Sequence, residues 1–387
     1  MGDLGRNSAV TLATVVLSFH TSGSTAEDMS TDDSAKTVGN TDPKKDASWT
    51  ENQLPPVKPP TTGLLMQLFF VPMIIVSIIV SVWSMFGWLA QSSTNPEQLT
   101  KNLKQLNKGS WQDAHSLSTL LRDPREKELR QNAEMAEGLA EILDGLLDDK
   151  TLIANDKLHR LATWLCRALG EFEVDAGLDT LVKASQSSDY AIRRAAVEGI
   201  STLAGKLDDI TASREDIVQI LREPALARED TNSREEEMEA GEMRSVISYA
   251  LGIIGDQEAN DTLSLMLSDP YPEARYNAAT GLARNGDLRA VPRLEEMLQI
   301  DNPEAVRYEE ESETLRTWKR NLVMLNGLRA VNELYTTNAE AVMDENIIKA
   351  VRKIESAGLL QNTDASKYVL DEVIRLVDTR GPSSAGS

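Results

Sequence analysis

The chain has 387 residues, with 40 Lys and Arg against 61 Asp and Glu, a formal net charge of -21 and only 5% aromatic residues. Such acidity excludes nucleic-acid binding through a broad surface, because phosphate binding is driven by cationic neutralisation. A single cysteine, Cys166, excludes an intrachain disulfide framework, and three histidines (His20, His115, His159) with one thiol are too few for a structural zinc site. Residues 1–62 carry 8 acidic and 5 basic groups and residues 63–90 carry none, so the acidity belongs to the C-terminal region.

In chain order, residues 1–62 read as a disordered N-terminal tail: from Thr21 onward they are rich in Ser, Thr, Asp, Lys and Pro and hold too little apolar surface to offset the entropy of ordering. The tail ends in Leu54-Pro55-Pro56-Val57-Lys58-Pro59-Pro60, a stiff polyproline spacer. Residues 9–19 form a weak apolar stretch behind Arg6, diluted by threonine; a cleaved leader and translation from Met29 both remain open readings of it. Residues 63–90 are of a different strength. No charge occurs between Lys58 and Glu97, Trp83 and Trp88 lie toward one end where indoles prefer a membrane interface, and Pro72 is tolerated in a membrane helix. One transmembrane helix is predicted there. The flanking lysines balance (Lys44, Lys45 and Lys58 against Lys101, Lys104 and Lys108), so orientation rests on the lone thiol, which suits a cytoplasmic C-terminal domain.

Beyond Asn95, apolar residues recur at three and four positions and no strand-like alternation appears. Arg193, Ala196 and Gly199 coincide in spacing with Arg275, Ala278 and Gly281, and Arg244, Ile247 and Ala250 fit the same frame. Trp111–Leu117 and Ala162–Leu169 fit it loosely. Small residues at such positions let helices approach closely, and a single helix pair cannot bury its apolar face alone, so the units stack. Gly170, Gly205, Gly255 and Gly286 sit where the first helix of each pair should end. The organisation predicted is a helical N-terminal part over 91–155, repeats over 156–302 with an acidic insertion at 222–242, degenerate repeats and a capping helix over 303–379, and a tail over 380–387.

The segment Ser268-Asp269-Pro270-Tyr271-Pro272-Glu273-Ala274-Arg275-Tyr276-Asn277-Ala278-Ala279, followed by Gly281-Leu282 and Gly286-Asp287, resembles a HEAT repeat of the phycobilisome-lyase-like subclass. The resemblance implies an all-α fold: a right-handed α-solenoid of helical hairpins, here behind one transmembrane helix. It implies that Asp269-Pro270 opens a first helix, that Arg193, Arg244 and Arg275 cap or bridge neighbouring repeats, and that Gly199, Gly255, Gly281 and Gly286 serve packing and turns. Tail, span and array together resemble bacterial membrane-anchored HEAT-repeat proteins.

Signs of chemistry are sparse. HEAT-repeat deoxyhypusine hydroxylases bind iron through His-Glu dipeptides, and His20, His115 and His159 are followed by Thr21, Ser116 and Arg160. HEAT-like DNA glycosylases need a basic face that this acidic domain does not offer. No phosphate-loop, nucleophile-elbow or zinc-protease motif occurs. Cys166 lies in the apolar run Leu165–Leu169 and reads as a buried thiol. The sequence calls for no cofactor and no metal. The candidate binding residues are Glu235, Glu236 and Glu237 with Glu309, Glu310 and Glu311, acidic runs suited to a basic protein partner. The predicted function is a membrane-anchored protein–protein interaction scaffold without catalysis. The rival is a HEAT-fold enzyme or a chromophore-handling protein like the phycobilin lyases, and self-association into a homo-oligomer is a third reading.

Overall fold

The computed structural model describes residues 62–92, 99, 101–103, 109–213, 215–228, 233–308, 312–361 and 363–380, with the side chains of α1 described at Gly63 and from 70 to 85. The tail expected over 1–62, its polyproline spacer, Glu309–Glu311 and the C-terminal tail beyond 380 lie outside these residues. The described residues are helical, with no strand among them. The chain divides into two units, Met1–Ser93 and Thr94–Ser387.

The first unit contains α1 (Thr62–Ser92), 31 residues without a charge and with Pro72 in its interior. Its large apolar side chains from Phe70 to Met85 are exposed, from 43% at Val82 to 80% at Trp83. The helix expected over 63–90 is therefore present. Among the described residues, however, no helix is long and apolar enough to cross a membrane. The described side chains of α1 account for about 24 Å of helix at ~1.5 Å per residue, short of a ~30 Å hydrocarbon core.

The second unit is a helical array. Its elements are α2 (Ser110–Leu121), α3 (Lys127–Arg130), α4 (Ala133–Leu147), α5 (Asp156–Gly170), α6 (Leu178–Ser185), α7 (Tyr190–Ala204), α8 (Ile210–Ser213) and α9 (Ile217–Leu226). There follow α10 (Arg234–Ile254), α11 (Gln257–Met266), α12 (Pro272–Arg284), α13 (Val291–Met297), α14 (Glu313–Thr337), α15 (Glu345–Ser356) and α16 (Asp364–Arg380). Local chemistry sets the starts. Asn132, Asn155, Asp189, Ser233, Asp256 and Asp344 each precede a helix and accept a hydrogen bond from a backbone N–H of its first turn. Two ends are set by Gly255 (φ 71°) and Gly286 (φ 75°), left-handed positions that a side chain disfavours.

Helices α2, α5, α7, α10, α12, α14 and α16 pack each on the next to make one layer. The partner helices form the second, where α4 packs on α6, α9 on α11, and α13 on α15. Successive helices close the hairpins α4–α5, α6–α7, α9–α10, α11–α12, α13–α14 and α15–α16. Between the layers runs one continuous apolar core, from Leu99 and Leu103 to Val373 and Val377. This is a helical solenoid, each unit burying its apolar face on its neighbours.

The small residues of the repeat frame make glycine seams. A Cβ at Gly170 on α5 would lie 2.5 Å from the Cα of Gly199 on α7, and one at Gly252 on α10 would lie 2.6 Å from the Cα of Gly281 on α12. Gly170 ends α5 and Gly205 is the C-cap of α7, as expected, but Gly170 is also a packing position and Gly205 keeps a right-handed φ of -71°. The end of α5 is closed instead by Lys206, whose Nζ donates to the carbonyl oxygens of Gly170 (3.2 Å) and Glu171 (2.7 Å) and to Glu171 Oε2 (2.7 Å).

One further expectation is corrected. Asp269-Pro270 does not open α12: Tyr271 stands at the N-cap and Pro272 in the first turn, where a missing N–H costs nothing. The stretch 222–242, expected as an acidic insertion, is helical at both ends. Arg222–Leu226 finish α9, and Arg234–Glu242 open α10, because Ser233 caps the helix and Glu235–Glu237 favour the positive end of its dipole. The wide spacing from Arg193 to Arg244 is filled by α8, α9 and this early start of α10.

Candidate interaction surface

The expected acidic site begins at the first turn of α10. Glu235, Glu236 and Glu237 are exposed there, and the backbone N–H of Glu236 donates to Ser233 Oγ at 3.1 Å. Tyr308 closes on this turn from 71 residues away: its hydroxyl donates to Glu237 Oε1 at 3.0 Å. The Tyr308 ring lies 5.1 Å from that of Tyr271, and the guanidinium carbons of Arg307 and Arg234 lie 5.7 and 6.0 Å from its centroid. Burial and the neighbouring Glu237 carboxylate push the Tyr308 hydroxyl pKa up, so Tyr308 remains a donor at neutral pH. Glu309, Glu310 and Glu311 themselves lie outside the described residues.

The recurrent arginines hold turns together. Arg193 Nη1 donates to the carbonyls of Ser187 (2.8 Å) and Ser188 (3.4 Å), six and five residues back. Arg275 Nη1 repeats this on the carbonyls of Asp269 and Pro270, both at 3.4 Å, and its Nη2 reaches Glu296 Oε1 (2.8 Å) and Glu304 Oε2 (2.9 Å). Arg244 departs from this pattern. It forks onto the buried Asp269 carboxylate, with Nε at 2.8 Å from Oδ2 and Nη2 at 3.1 Å from Oδ1. Asp269 also accepts from the backbone N–H of Tyr271 (2.8 Å) and pairs with Arg228 (3.1 Å), so a carboxylate with 0% side-chain exposure has three partners through four contacts.

A lane of aromatic and charged side chains crosses the exposed side of the α2–α5–α7–α10 layer, and sequence reasoning missed it. Arg160 lies over Trp111, and His115 meets Trp164 edge-on at 4.4 Å between centroids. Arg167 lies over Trp164 and approaches Glu198, with Nε 3.4 Å from Oε2. Arg194 binds Glu198 (3.0 Å) and Glu242 (2.6 Å), and Tyr190 donates to Glu242 at 2.9 Å. The signal that could have found it is the spacing Arg160, Trp164, Arg167, one face of a helix read at i, i+4 and i+7.

His159 sits half-buried with Nε2 2.9 Å from Asp189 Oδ1, the carboxylate that also caps α7. Cys166 is fully buried, and burial pushes its thiol pKa up to about 12. Among the described residues, no group of three or more His, Cys, Asp or Glu side chains is placed to hold a metal ion.

Comparison with known proteins finds a partial family match and similar solved structures. Residues 236–312, from α10 to the turn at Tyr308, match the model of HEAT repeats. Solved structures similar to the chain include two engineered proteins. One is 19% identical over 74% of this chain and 68% of its own (TM-score 0.39), the other 15% identical over 74% and 98% (TM-score 0.31). YibA of Escherichia coli is 14% identical over 75% of this chain and 96% of its own, with a TM-score of 0.28. No curated protein matches. Residues 236–312 match HEAT repeats, and the same two-layer pairing of helical hairpins continues on either side of them.

Proposed function

We propose that this protein is a membrane-anchored interaction scaffold: α1 is its single span, and the HEAT array, wound right-handed, is a docking platform that performs no chemistry of its own. The observation that carries the anchoring is α1, an uncharged helix of 31 residues whose large described side chains are exposed on all sides from Phe70 to Met85. Beyond the described side chains, the uncharged sequence over all 31 residues, about 46 Å at ~1.5 Å per residue, supports the reading of α1 as the span. Nothing but lipid or another apolar helix satisfies such a surface. The acidic first turn of α10 then presents Glu235–Glu237 to a basic segment of a partner in the same or an adjacent compartment, and anchoring raises the local concentration for partners in that bilayer. The array faces the cytoplasm.

Alkaline carbonate extraction of membranes carrying the full chain tests the anchor. The chain stays in the pellet, and a variant lacking 63–90 moves to the supernatant; full-length chain in the supernatant would falsify the span. Protease added to intact cells leaves the array uncut if it faces inward. Crosslinking in the membrane, followed by the triple change of Glu235, Glu236 and Glu237 to Lys, tests the platform. Loss of one defined basic partner is expected, and an unchanged crosslinking pattern removes the acidic turn from the binding site.

A further inference from the structure

The acidic first turn of α10 is already covered by the chain itself. The Tyr308 hydroxyl donates to Glu237 Oε1 at 3.0 Å across 71 residues, and its ring lies 5.1 Å from that of Tyr271 at an interplanar angle of 32°. Arg307 stands beside it, 48% exposed and held by one long contact, Nη1 to Glu304 Oε2 at 3.4 Å. Its guanidinium carbon is 5.7 Å from the Tyr308 centroid. The two residues end a turn that is fixed at its base. Ala305 and Val306 are buried, and the buried Asn302 donates through Nδ2 to Tyr276 Oη and to the Glu296 carbonyl, both at 2.9 Å. Tyr308 is only half-buried, so its side chain can leave while this base stays in place.

Beneath Tyr308 the surface is built but incomplete. Tyr271 is 6% exposed, and its ring lies against the α10 backbone, where a Cβ at Gly241 would come within 2.4 Å of it. The Tyr271 hydroxyl has no hydrogen-bond partner among the described residues, and an unmet polar group at such burial costs stability. Burial, with the nearby carboxylates of Glu273 and Glu242, pushes the pKa of that hydroxyl far up, so it stays protonated in negative surroundings. A negative surface with an aromatic floor selects a cation that has a ring beside it, and Arg307-Tyr308 is a segment of that kind.

We propose that Arg307-Tyr308 is an internal strap that occupies the acidic turn of α10, and that the partner is a basic segment carrying an aromatic residue, which displaces the strap and stacks on Tyr271 in its place. This rests on the reading of Glu235–Glu237 as a docking turn. A site held shut binds with an affinity lowered by the fraction of time it is open. The strap thereby sets a threshold on a chain of net charge -21, which attracts cations of every kind. Charge alone does not replace the ring contact, whereas a segment that matches both ring and charge does.

The test is fluorescence anisotropy of two labelled peptides, Lys-Lys-Lys-Tyr-Lys-Lys and Lys-Lys-Lys-Ala-Lys-Lys, titrated with the full chain in detergent micelles. The tyrosine peptide is expected to bind about fivefold more tightly, the worth of one aromatic pair. Tyr308→Phe removes the hydroxyl bond to Glu237 and keeps the ring. It should raise the affinity for the tyrosine peptide about tenfold, because a hydrogen bond to a charged group is lost from the closed state alone. Tyr308 is half-buried at the end of its turn, so the variant keeps the fold, which circular dichroism verifies. If Tyr308→Phe binds the peptide as the wild type does, or more weakly, the strap is overturned while the docking turn stands. If the two peptides bind the wild type equally, the aromatic requirement is overturned. If neither peptide binds either form of the chain, the acidic turn is not a docking site and both readings fall.

Discussion

Replacing either glycine of the α10–α12 seam with alanine tests whether close backbone approach holds the array together. A Cβ at Gly252 would lie 2.6 Å from Gly281 Cα, and one at Gly281 would lie 2.8 Å from Gly252 Cα. In both cases the obstacle is backbone, which cannot rotate away, so the helices must part. Overpacking of this kind costs ~1–3 kcal/mol, and a rigid obstacle argues for the upper end. Alanine returns about 1 kcal/mol of helix propensity over glycine, leaving a net loss of about 2 kcal/mol. Gly145 is the control. It lies inside α4, a Cβ there meets nothing within 4 Å, and Gly145→Ala keeps the propensity gain of about 0.5–1 kcal/mol without the clash. Urea unfolding of the three variants reads the difference: with a slope near 3 kcal/mol/M, the seam variants shift the midpoint down by about 0.7 M and Gly145→Ala shifts it up. If Gly252→Ala or Gly281→Ala raises the midpoint as Gly145→Ala does, the seam is not a tight contact and the reasoning fails.

Other consequences are as direct. Asp269→Ala leaves Arg244 buried without its carboxylate and is expected to cost ~3–5 kcal/mol, as is Arg244→Ala; in a double-mutant cycle by urea unfolding the two losses should fall well short of adding. Burial of Glu296 pushes its carboxyl pKa up, but hydrogen bonds from Arg275, Tyr276 and Arg293 outweigh this and hold it below the ordinary range. Its contribution is therefore complete above the unfolded value of ~4.3 and is lost as the pH falls through the lower folded value, so the stability gap between wild type and Glu296→Gln should close between about pH 6 and 3. A gap independent of pH would refute this. Cys166, fully buried and with its thiol pKa pushed up to about 12, should react with a maleimide only as fast as the surrounding helices open; rapid labelling of the native chain would contradict the packing.

The helical class and the repeat were legible because they rest on spacing. Arg193 and Arg275 share a frame in the sequence and the same backbone acceptors, six and five residues back, in the structure. Gly199 and Gly281 share the frame and both stand at seams. Their partners Gly170 and Gly252 were not legible as such, because a seam pairs residues on helices whose register only tertiary packing fixes. The helical character of both ends of 222–242 was not legible because the charge there hides the helix period; the cap at Ser233 was the better guide. The lane from Trp111 to Glu242 escaped notice for a related reason. Its members lie on four helices, and each row, such as Arg160, Trp164 and Arg167 on α5 or Tyr190, Arg194 and Glu198 on α7, is short and joined to the next only by tertiary packing.

Helix α14 runs for 25 residues, yet its buried side chains begin only at Val323. The stretch from Glu313 to Leu322 therefore stands largely clear of the core, held by ion pairs of Lys319 with Glu273 at 3.0 Å and of Arg320 with Glu313 at 3.1 Å, while Leu315 and Trp318 are each 49% exposed. A helical segment of that length is marginal by itself, below the ~12–15 residues that isolated helices need. It should open far more often than the rest of the array unfolds, exchanging its amide hydrogens early and exposing Arg316, Lys319 and Arg320 to trypsin while the glycine seams remain closed. A single nick there cuts the chain without parting it, because α14 from Val323 onward still packs on α12 and α16 in the continuous core, so the cleaved halves should stay associated until the array itself unfolds.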